Sequence, residues 1–154
     1  MGDIRFEVVD PDAVVGEYLS ATKPGVYVSI ERPEDDIRWL NGAQDIVIEE
    51  ATIDVLYSYP FGTVGPSEQE VRLHGWIFSE RAPNSGSFTR ADLARVIAAR
   101  YKQIYDAEYA EDAPVNRCYT NGKYRIWGHD IGDLLLYHVW QIPGTNVYRL
   151  GIDS

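Results

Sequence analysis

The strongest constraint on the fold is an amphipathic segment between residues 89 and 109. Its apolar residues recur at steps of three and four, which places them on one face of an α-helix: Leu93, Val96, Ile97, Tyr101, Ile104 and Tyr105. Thr89 is placed to cap this helix, with Asp92 completing a capping box, and Phe88 is placed to pack against Leu93. Such a helix requires a sheet or another helix to cover its apolar face.

Alternation of apolar and polar residues predicts several β-strands. The clearest alternation runs from Ile53 to Tyr59 and favours burial of one face of that strand. Two strands at residues 134–141 and 147–152, joined by a turn at residues 143–146, form a predicted hairpin. Shorter strands are predicted at residues 4–9, 26–30, 46–48 and 71–77.

A short N-terminal helix is predicted after the first strand. Asp10 is a typical N-cap and Pro11 a typical first helical residue, and apolar residues follow at helical spacing from Val14 to Leu19. The length of 154 residues is usual for one domain. We therefore predict a single α+β domain over residues 1–154, in which a mostly antiparallel sheet packs against the long helix.

The charge balance limits which classes of partner the chain is expected to bind. Lys and Arg number 14 against 24 Asp and Glu, a formal net charge of -10. Nucleic acids and anionic membranes are attracted by basic surfaces, so neither is a predicted partner. The acidic residues concentrate between Glu31 and Asp54, and Glu34, Asp35 and Asp36 are the candidate partner-binding residues there. A solvated face is the alternative interpretation of this acidic stretch.

Cysteine usage indicates the compartment. Cys118 is the only cysteine, which excludes an intrachain disulfide and a Cys-type zinc site and fits a reducing environment. The first residues have neither the basic nor the apolar region of a secretory signal. An intracellular, cytoplasmic protein without a metal or cofactor is therefore expected.

The segment from Asn121 to Leu134 crowds aromatic, small and ionisable residues together. His129 and Asp130 superficially match the metal-binding core of HD-type phosphohydrolases. That chemistry needs a second upstream histidine on a helix, whereas the only upstream histidine is His74, on a predicted strand. A structural interpretation is favoured, in which His129 hydrogen-bonds within the fold and Asp130 or Asp133 accepts backbone N–H bonds in a bend.

The same segment supplies the candidate residues of an alternative enzymatic or small-ligand site. His129, Asp130 and Asp133 are the candidate catalytic residues, and the candidate ligand-binding residues are Tyr124, Trp127 and His74. No nucleophile elbow, P-loop, zinc-protease motif or EF-hand loop accompanies them.

One resemblance rests on this segment. The run Asn121–Leu134, with Leu150–Ser154 at the end of the chain, resembles a small family of proteins from large DNA viruses of protists, with an NGxYxIWGHDIxDL core and an LGIDS ending. The resemblance covers the part of the chain from the long helix onward. It implies a cytosolic or virion-associated protein and assigns no catalytic role to His129 or Asp130.

Three functions remain open from the sequence. The favoured one is a non-enzymatic acidic domain that acts by protein–protein association, including self-association as a homo-oligomer. The second is a small-ligand-binding or hydrolytic enzyme with a pocket around residues 127–133. The third is an acidic inhibitor that presents residues 31–54 to a basic partner.

Overall fold

The core forms between one long helix and a six-stranded sheet. The computed structural model describes residues 2–9, 14–15, 18–19, 27–62, 75–84, 86–112 and 119–154. In chain order its strands and helices are β1 (Ile4–Arg5), β2 (Val14–Val15), β3 (Tyr18–Leu19), β4 (Val28–Ser29), α1 (Pro33–Ile37), β5 (Ile46–Ile48), β6 (Thr52–Tyr57), β7 (Trp76–Arg81), β8 (Phe88–Thr89), α2 (Arg90–Glu111), β9 (Leu135–Gln141) and β10 (Val147–Asp153). A 3₁₀ turn at Ile131–Asp133 precedes β9.

The long helix α2 is confirmed, together with its cap. The Thr89 hydroxyl accepts the Asp92 N–H at 3.0 Å, and the Asp92 carboxylate accepts the Thr89 N–H at 3.2 Å, so both halves of the capping box form. The predicted stripe faces the core: five of its six residues are fully or almost fully buried and Val96 is half-buried. Helix α2 ends at Glu111, two residues beyond the prediction.

The sheet has the strand order β1-β9-β10-β6-β7, with β4 also paired to β9. The predicted hairpin is confirmed as β9 and β10, and every pairing in this sheet is antiparallel except that of β10 with β6. On β6 the predicted inner residues Ile53, Val55 and Tyr57 have no exposed surface. The mixed helix-and-sheet fold with a mostly antiparallel sheet is therefore as predicted.

The short helix lies further along the chain than predicted. At Val14–Val15 and Tyr18–Leu19 the backbone forms two antiparallel strands, so the predicted helical position is wrong at those residues. β-Branched and aromatic residues favour strands, and four apolar positions are too few to fix a helical period. The short helix is instead α1, which begins with proline at its first position and has acidic residues in its first turn.

The polar residues of α1 attach it to its neighbours. Glu34 forms an ion pair with Arg95 of α2, with 2.6 Å between Oε1 and Nε, and this hydrogen bond lowers the pKa of Glu34. The Asp36 carboxylate accepts the Ser29 N–H at 2.8 Å. Asp35 is exposed. Two of the three acidic candidates thus serve contacts within the fold.

A polar cluster joins α2 to β7. The Arg100 guanidinium donates to both oxygens of the buried Glu80 carboxylate, at 2.9 and 3.2 Å, and lies 4.5 Å from the centre of the Phe78 ring. The Tyr57 hydroxyl donates to the same carboxylate. Burial, and then the neighbouring Glu80 charge, raises the pKa of Tyr57 well above its usual value. The cluster satisfies a buried charge and fixes α2 on the sheet.

Candidate functional site

A cleft opens where the loop after β6 meets the segment before the 3₁₀ turn. It has a volume of about 440 Å³ and is lined by residues 59–62, 119–121 and 125–127, and we call it the aromatic cleft. Backbone hydrogen bonds hold its two sides together: the Trp127 N–H donates to the Pro60 carbonyl at 2.9 Å, and the Gly62 N–H donates to the Arg125 carbonyl at 2.8 Å.

Three large aromatic side chains are exposed on the aromatic cleft. The exposed fractions are 65% for Trp127, 48% for Tyr119 and 37% for Tyr59. The rings of Tyr119 and Trp127 stand almost perpendicular, at 85° with centroids 6.0 Å apart. Phe61 also lines the cleft, is buried, and stacks on Tyr101 of α2 with 5.6 Å between the ring centroids. The cleft therefore has an aromatic floor and aromatic walls.

A buried carboxylate fixes the shape of the 120–126 segment. Glu108, on the inner face of α2, has no exposed surface, and its carboxylate accepts the N–H of Tyr124 at 3.0 Å and that of Arg125 at 2.8 Å. The Thr120 hydroxyl donates to the same carboxylate and accepts the Ile126 N–H at 2.8 Å. Three donors thus converge on one carboxylate, which offsets the cost of burying it.

Two backbone features show how tightly this segment is held. A Cβ at Gly122 would lie 2.3 Å from a Glu108 carboxylate oxygen, so the close approach requires glycine. Arg125 has a φ of 50°, a left-handed conformation that is uncommon for non-glycine residues. This conformation places the Arg125 side chain on the cleft.

His129 lies beside the aromatic cleft and contacts one of its walls. Its Nε2 is 2.6 Å from the Tyr59 hydroxyl, which is also 3.0 Å from the Ser154 hydroxyl, and the His129 carbonyl accepts the Tyr105 hydroxyl at 2.8 Å. The imidazole and the phenol are thus joined by a hydrogen bond. The serine contacts the phenol rather than the imidazole, so the geometry does not form a serine–base pair.

Asp130 and Asp133 use their carboxylates to shape the 3₁₀ turn. Asp130 accepts the Ile131 N–H at 2.8 Å, and Asp133 accepts the Asp130 N–H at 3.0 Å. Neither carboxylate contacts His129 among the hydrogen bonds of the described residues. The contacts seen at both aspartates are those expected of a structural bend.

The candidate ligand-binding residues have different positions. Trp127 is on the aromatic cleft, whereas Tyr124 is buried. The centroids of the Tyr124 and Trp76 rings are 4.9 Å apart, and the Lys123 ammonium lies 5.4 Å from the centroid of the Tyr124 ring. His74 lies outside the described residues. In the part of the chain that is described, no group of three or more His, Cys, Asp or Glu side chains is arranged to hold a metal, and no helix is long and apolar enough to cross a membrane.

Several residues of the cleft were not candidates from the sequence. The alternation predicts Tyr59 on the inner face of a strand, but β6 ends at Tyr57 and Tyr59 lies in the turn after it. The burial of Glu108 could be predicted from the sequence, because Glu108 lies three residues after Tyr105 and continues the apolar stripe of α2. A carboxylate on an otherwise apolar face requires buried hydrogen-bond partners.

No protein-family model, curated protein or solved structure matches the chain, so the viral resemblance stays a prediction.

Replacing His129 by alanine is expected to lower the free energy of unfolding by about 1 kcal/mol, because one hydrogen bond to Tyr59 is lost at a half-exposed position. Tyr59→Phe removes the same hydrogen bond from the other side. The loss of stability in the double variant should therefore not exceed the sum of the losses in the two single variants. Thermal melts with and without Zn²⁺ or Mn²⁺ provide the measurement. A metal-dependent rise in Tm that His129→Ala abolishes would contradict the structural role.

Proposed function

We propose that the chain is a non-catalytic protein-interaction domain that binds its partner through the aromatic cleft. The observation that carries this proposal is the joint exposure of Trp127, Tyr119 and Tyr59 on one cleft. Tryptophan and tyrosine are enriched among the residues that contribute most to protein–protein affinity, because a rigid ring buries a large apolar area. Water-exposed rings gathered in this way indicate a surface that a partner covers.

The preorganisation of the cleft supports a binding role. Glu108 and the backbone bonds between the two sides hold Trp127 and Arg125 in place before any partner arrives. Ordering loops on association costs affinity, and a cleft that is already ordered avoids that cost. A volume of about 440 Å³ is within the range of sites that hold small ligands or short peptide segments.

The acidic stretch supports a docking role less strongly. Glu34 is paired with Arg95 and Asp36 accepts a backbone N–H, so two of the three carboxylates on α1 already have partners in the fold. A basic partner that bound both oxygens of Glu34 would have to displace Arg95, which contacts both of them. This favours the aromatic cleft over residues 31–54 as the recognition surface, and with it the interaction domain over the acidic inhibitor.

A peptide-library selection against the immobilised protein tests this function. Selected peptides are expected to bind the parent and to lose about tenfold or more in affinity for Trp127→Ala, since the removed ring is the most exposed wall of the cleft. Trp39→Ala is the matched control, because Trp39 is 40% exposed and does not line the cleft. Its affinity for the same peptides should be that of the parent.

Two outcomes would redirect the proposal. Binders that tolerate Trp127→Ala and Tyr119→Ala would show that the cleft is not the recognition surface. A molecular mass that rises with protein concentration, and that Trp127→Ala returns to the monomer value, would identify the partner as a second copy of this chain. Sedimentation of the parent and the variant measures the latter directly.

A further inference from the structure

We propose that the partner segment in the aromatic cleft carries an aspartate or glutamate side chain, whose carboxylate pairs with the Arg125 guanidinium. This inference rests on the proposed function and adds the chemistry of the ligand. Among the described residues that line the cleft, Arg125 is the only one with a charged side chain. The chain has a formal net charge of -10, so an anionic segment that binds it needs a local cation, and the cleft supplies one.

The Arg125 side chain is exposed, and its guanidinium has no partner within the fold. No hydrogen bond, ion pair or ring contact joins it to another residue in the described part of the chain. Arg100 of α2, by contrast, is paired with Glu80. A guanidinium keeps its charge at any ordinary pH and offers two parallel N–H groups to a carboxylate, so Arg125 is free to form a bidentate pair.

The fold holds Arg125 at the cleft before any ligand arrives. Its N–H donates to the buried Glu108 carboxylate at 2.8 Å, and its carbonyl accepts the Gly62 N–H at 2.8 Å. A Cβ at Gly62 would lie 2.9 Å from the Arg125 Cβ and 3.4 Å from its Cδ, so glycine at this position leaves room for the arginine stem. Glycine would adopt the φ of 50° at lower cost than arginine, so the backbone alone does not explain an arginine here.

The backbone of the cleft favours a side-chain carboxylate over a terminal carboxylate or a phosphate. Terminal carboxylates are captured by groups of free backbone N–H donors, and phosphates by clusters of arginine. The backbone N–H groups at positions 61, 62, 120, 121 and 125–127 already have acceptors within the fold. The described lining therefore offers an anion one guanidinium and no nest of N–H groups, which suits a single side-chain carboxylate.

The free acceptors of the cleft suit the backbone of a peptide but do not select its sequence. The carbonyls of Gly62 and Thr120 and the Tyr119 hydroxyl make no hydrogen bond in the described part of the chain. They can receive the N–H groups of any extended peptide. The Arg125 charge does discriminate between sequences, because it attracts a carboxylate and repels lysine or arginine.

Selection from a library of capped, C-terminally amidated peptides tests the inference. Peptides selected by the parent are expected to carry Asp or Glu at one recurring position, and those selected by Arg125→Glu should carry Lys or Arg there. For the tightest parent-selected peptide, changing that acid to its amide should weaken binding at least about tenfold in calorimetric titration. With Arg125→Gln the same change should have no effect. Lys123→Gln is the matched control, because Lys123 is exposed and does not line the cleft, and it should retain the full loss.

A second variant separates the Arg125 side chain from its backbone conformation. Glycine adopts a φ of 50° readily, so the unfolding midpoint of Arg125→Gly should stay close to that of the parent. The variant should nevertheless bind the acid and amide peptides equally. A difference between the two peptides that persists in folded Arg125→Gly would contradict the pairing with the guanidinium.

The possible results separate this inference from the function on which it rests. Peptides that depend on Trp127 but lack a recurring acid, or that bind equally as acid and amide, overturn the carboxylate pair and still support the interaction domain. Acid-free peptides that bind only when their C terminus is left free identify a terminal carboxylate and overturn the side-chain source. Acid-dependent binding that survives Arg125→Gln overturns the assignment to Arg125. A selection that yields no peptide, or only peptides indifferent to Trp127→Ala, overturns the interaction domain and this inference with it.

Discussion

Ile97→Asp is expected to lower the free energy of unfolding by more than about 3 kcal/mol, a large share of the roughly 5–15 kcal/mol by which a folded domain is usually stable. Ile97 lies in the middle of the buried face of α2 and has no exposed surface. The substitution removes apolar contacts and places a carboxylate among the buried apolar side chains of the core. Chemical denaturation followed by circular dichroism measures the loss.

Ala99→Asp is the matched control for this substitution. Ala99 lies on the exposed side of the same helix, close to Arg95 and Lys102, which favour a carboxylate at that position. Its expected cost is below about 1 kcal/mol, set mainly by the helix propensities of the two residues. Equal denaturation midpoints for Ile97→Asp and Ala99→Asp would mean that the buried face of α2 has been assigned incorrectly.

The long helix was predictable because its determinants are local. The capping box spans Thr89 to Asp92, and the stripe from Leu93 to Tyr105 extends over nearly four turns, so both are visible in a short window of sequence. The β9–β10 hairpin was predictable for the same reason, since two alternating segments flank a turn at residues 143–146. Local patterns of this kind are also sufficient to predict the α+β fold class.

The remaining topology depends on contacts between distant segments. Strand β10 pairs in parallel with β6, so that Tyr148 lies beside Val55, and no pattern within either strand specifies that neighbour. The two-residue strands β2 and β3 carry too few residues for their apolar pattern to separate a strand from a helix. The periodicity of a sequence indicates which face of a strand is buried, but not which strand lies beside it in the sheet.

Only one side of the candidate site was predictable from the sequence. The segment from Asn121 to Leu134 was singled out by its composition, and Trp127 does line the aromatic cleft. For the opposite side, from Tyr59 to Gly62, the sequence predicts only a strand end and a loop. Its contact with Ile126 joins residues far apart in the chain, so no local pattern indicates it. The turn functions expected of Asp130 and Asp133 match their hydrogen bonds, since capping is again local.

Glu108→Ala is expected to have the second large effect, lowering the free energy of unfolding by about 3 kcal/mol or more. Its carboxylate receives the N–H groups of Tyr124 and Arg125 and the hydroxyl of Thr120, and alanine leaves these donors buried without an acceptor. Arg125 holds a φ of 50° only while these bonds constrain it, so the segment that carries Trp127 should lose its fixed conformation.

Two variants separate this anchoring role from a general loss of stability. Glu108→Gln keeps one acceptor oxygen and most of the volume, so it should lose less stability than Glu108→Ala, while Glu111→Ala, at an exposed position of the same helix, should lose little. While Glu108→Gln is still folded, its NMR shifts should differ from those of the parent at residues 119–127 and not at the β9–β10 hairpin. Stability and shifts equal to those of Glu111→Ala would contradict the anchoring role.

Glu108 touches no ligand and acts through the segment it holds. Loss of peptide binding in Glu108→Gln, with Trp127 intact, would therefore show that the preformed shape of the cleft, and not the exposed ring alone, determines affinity.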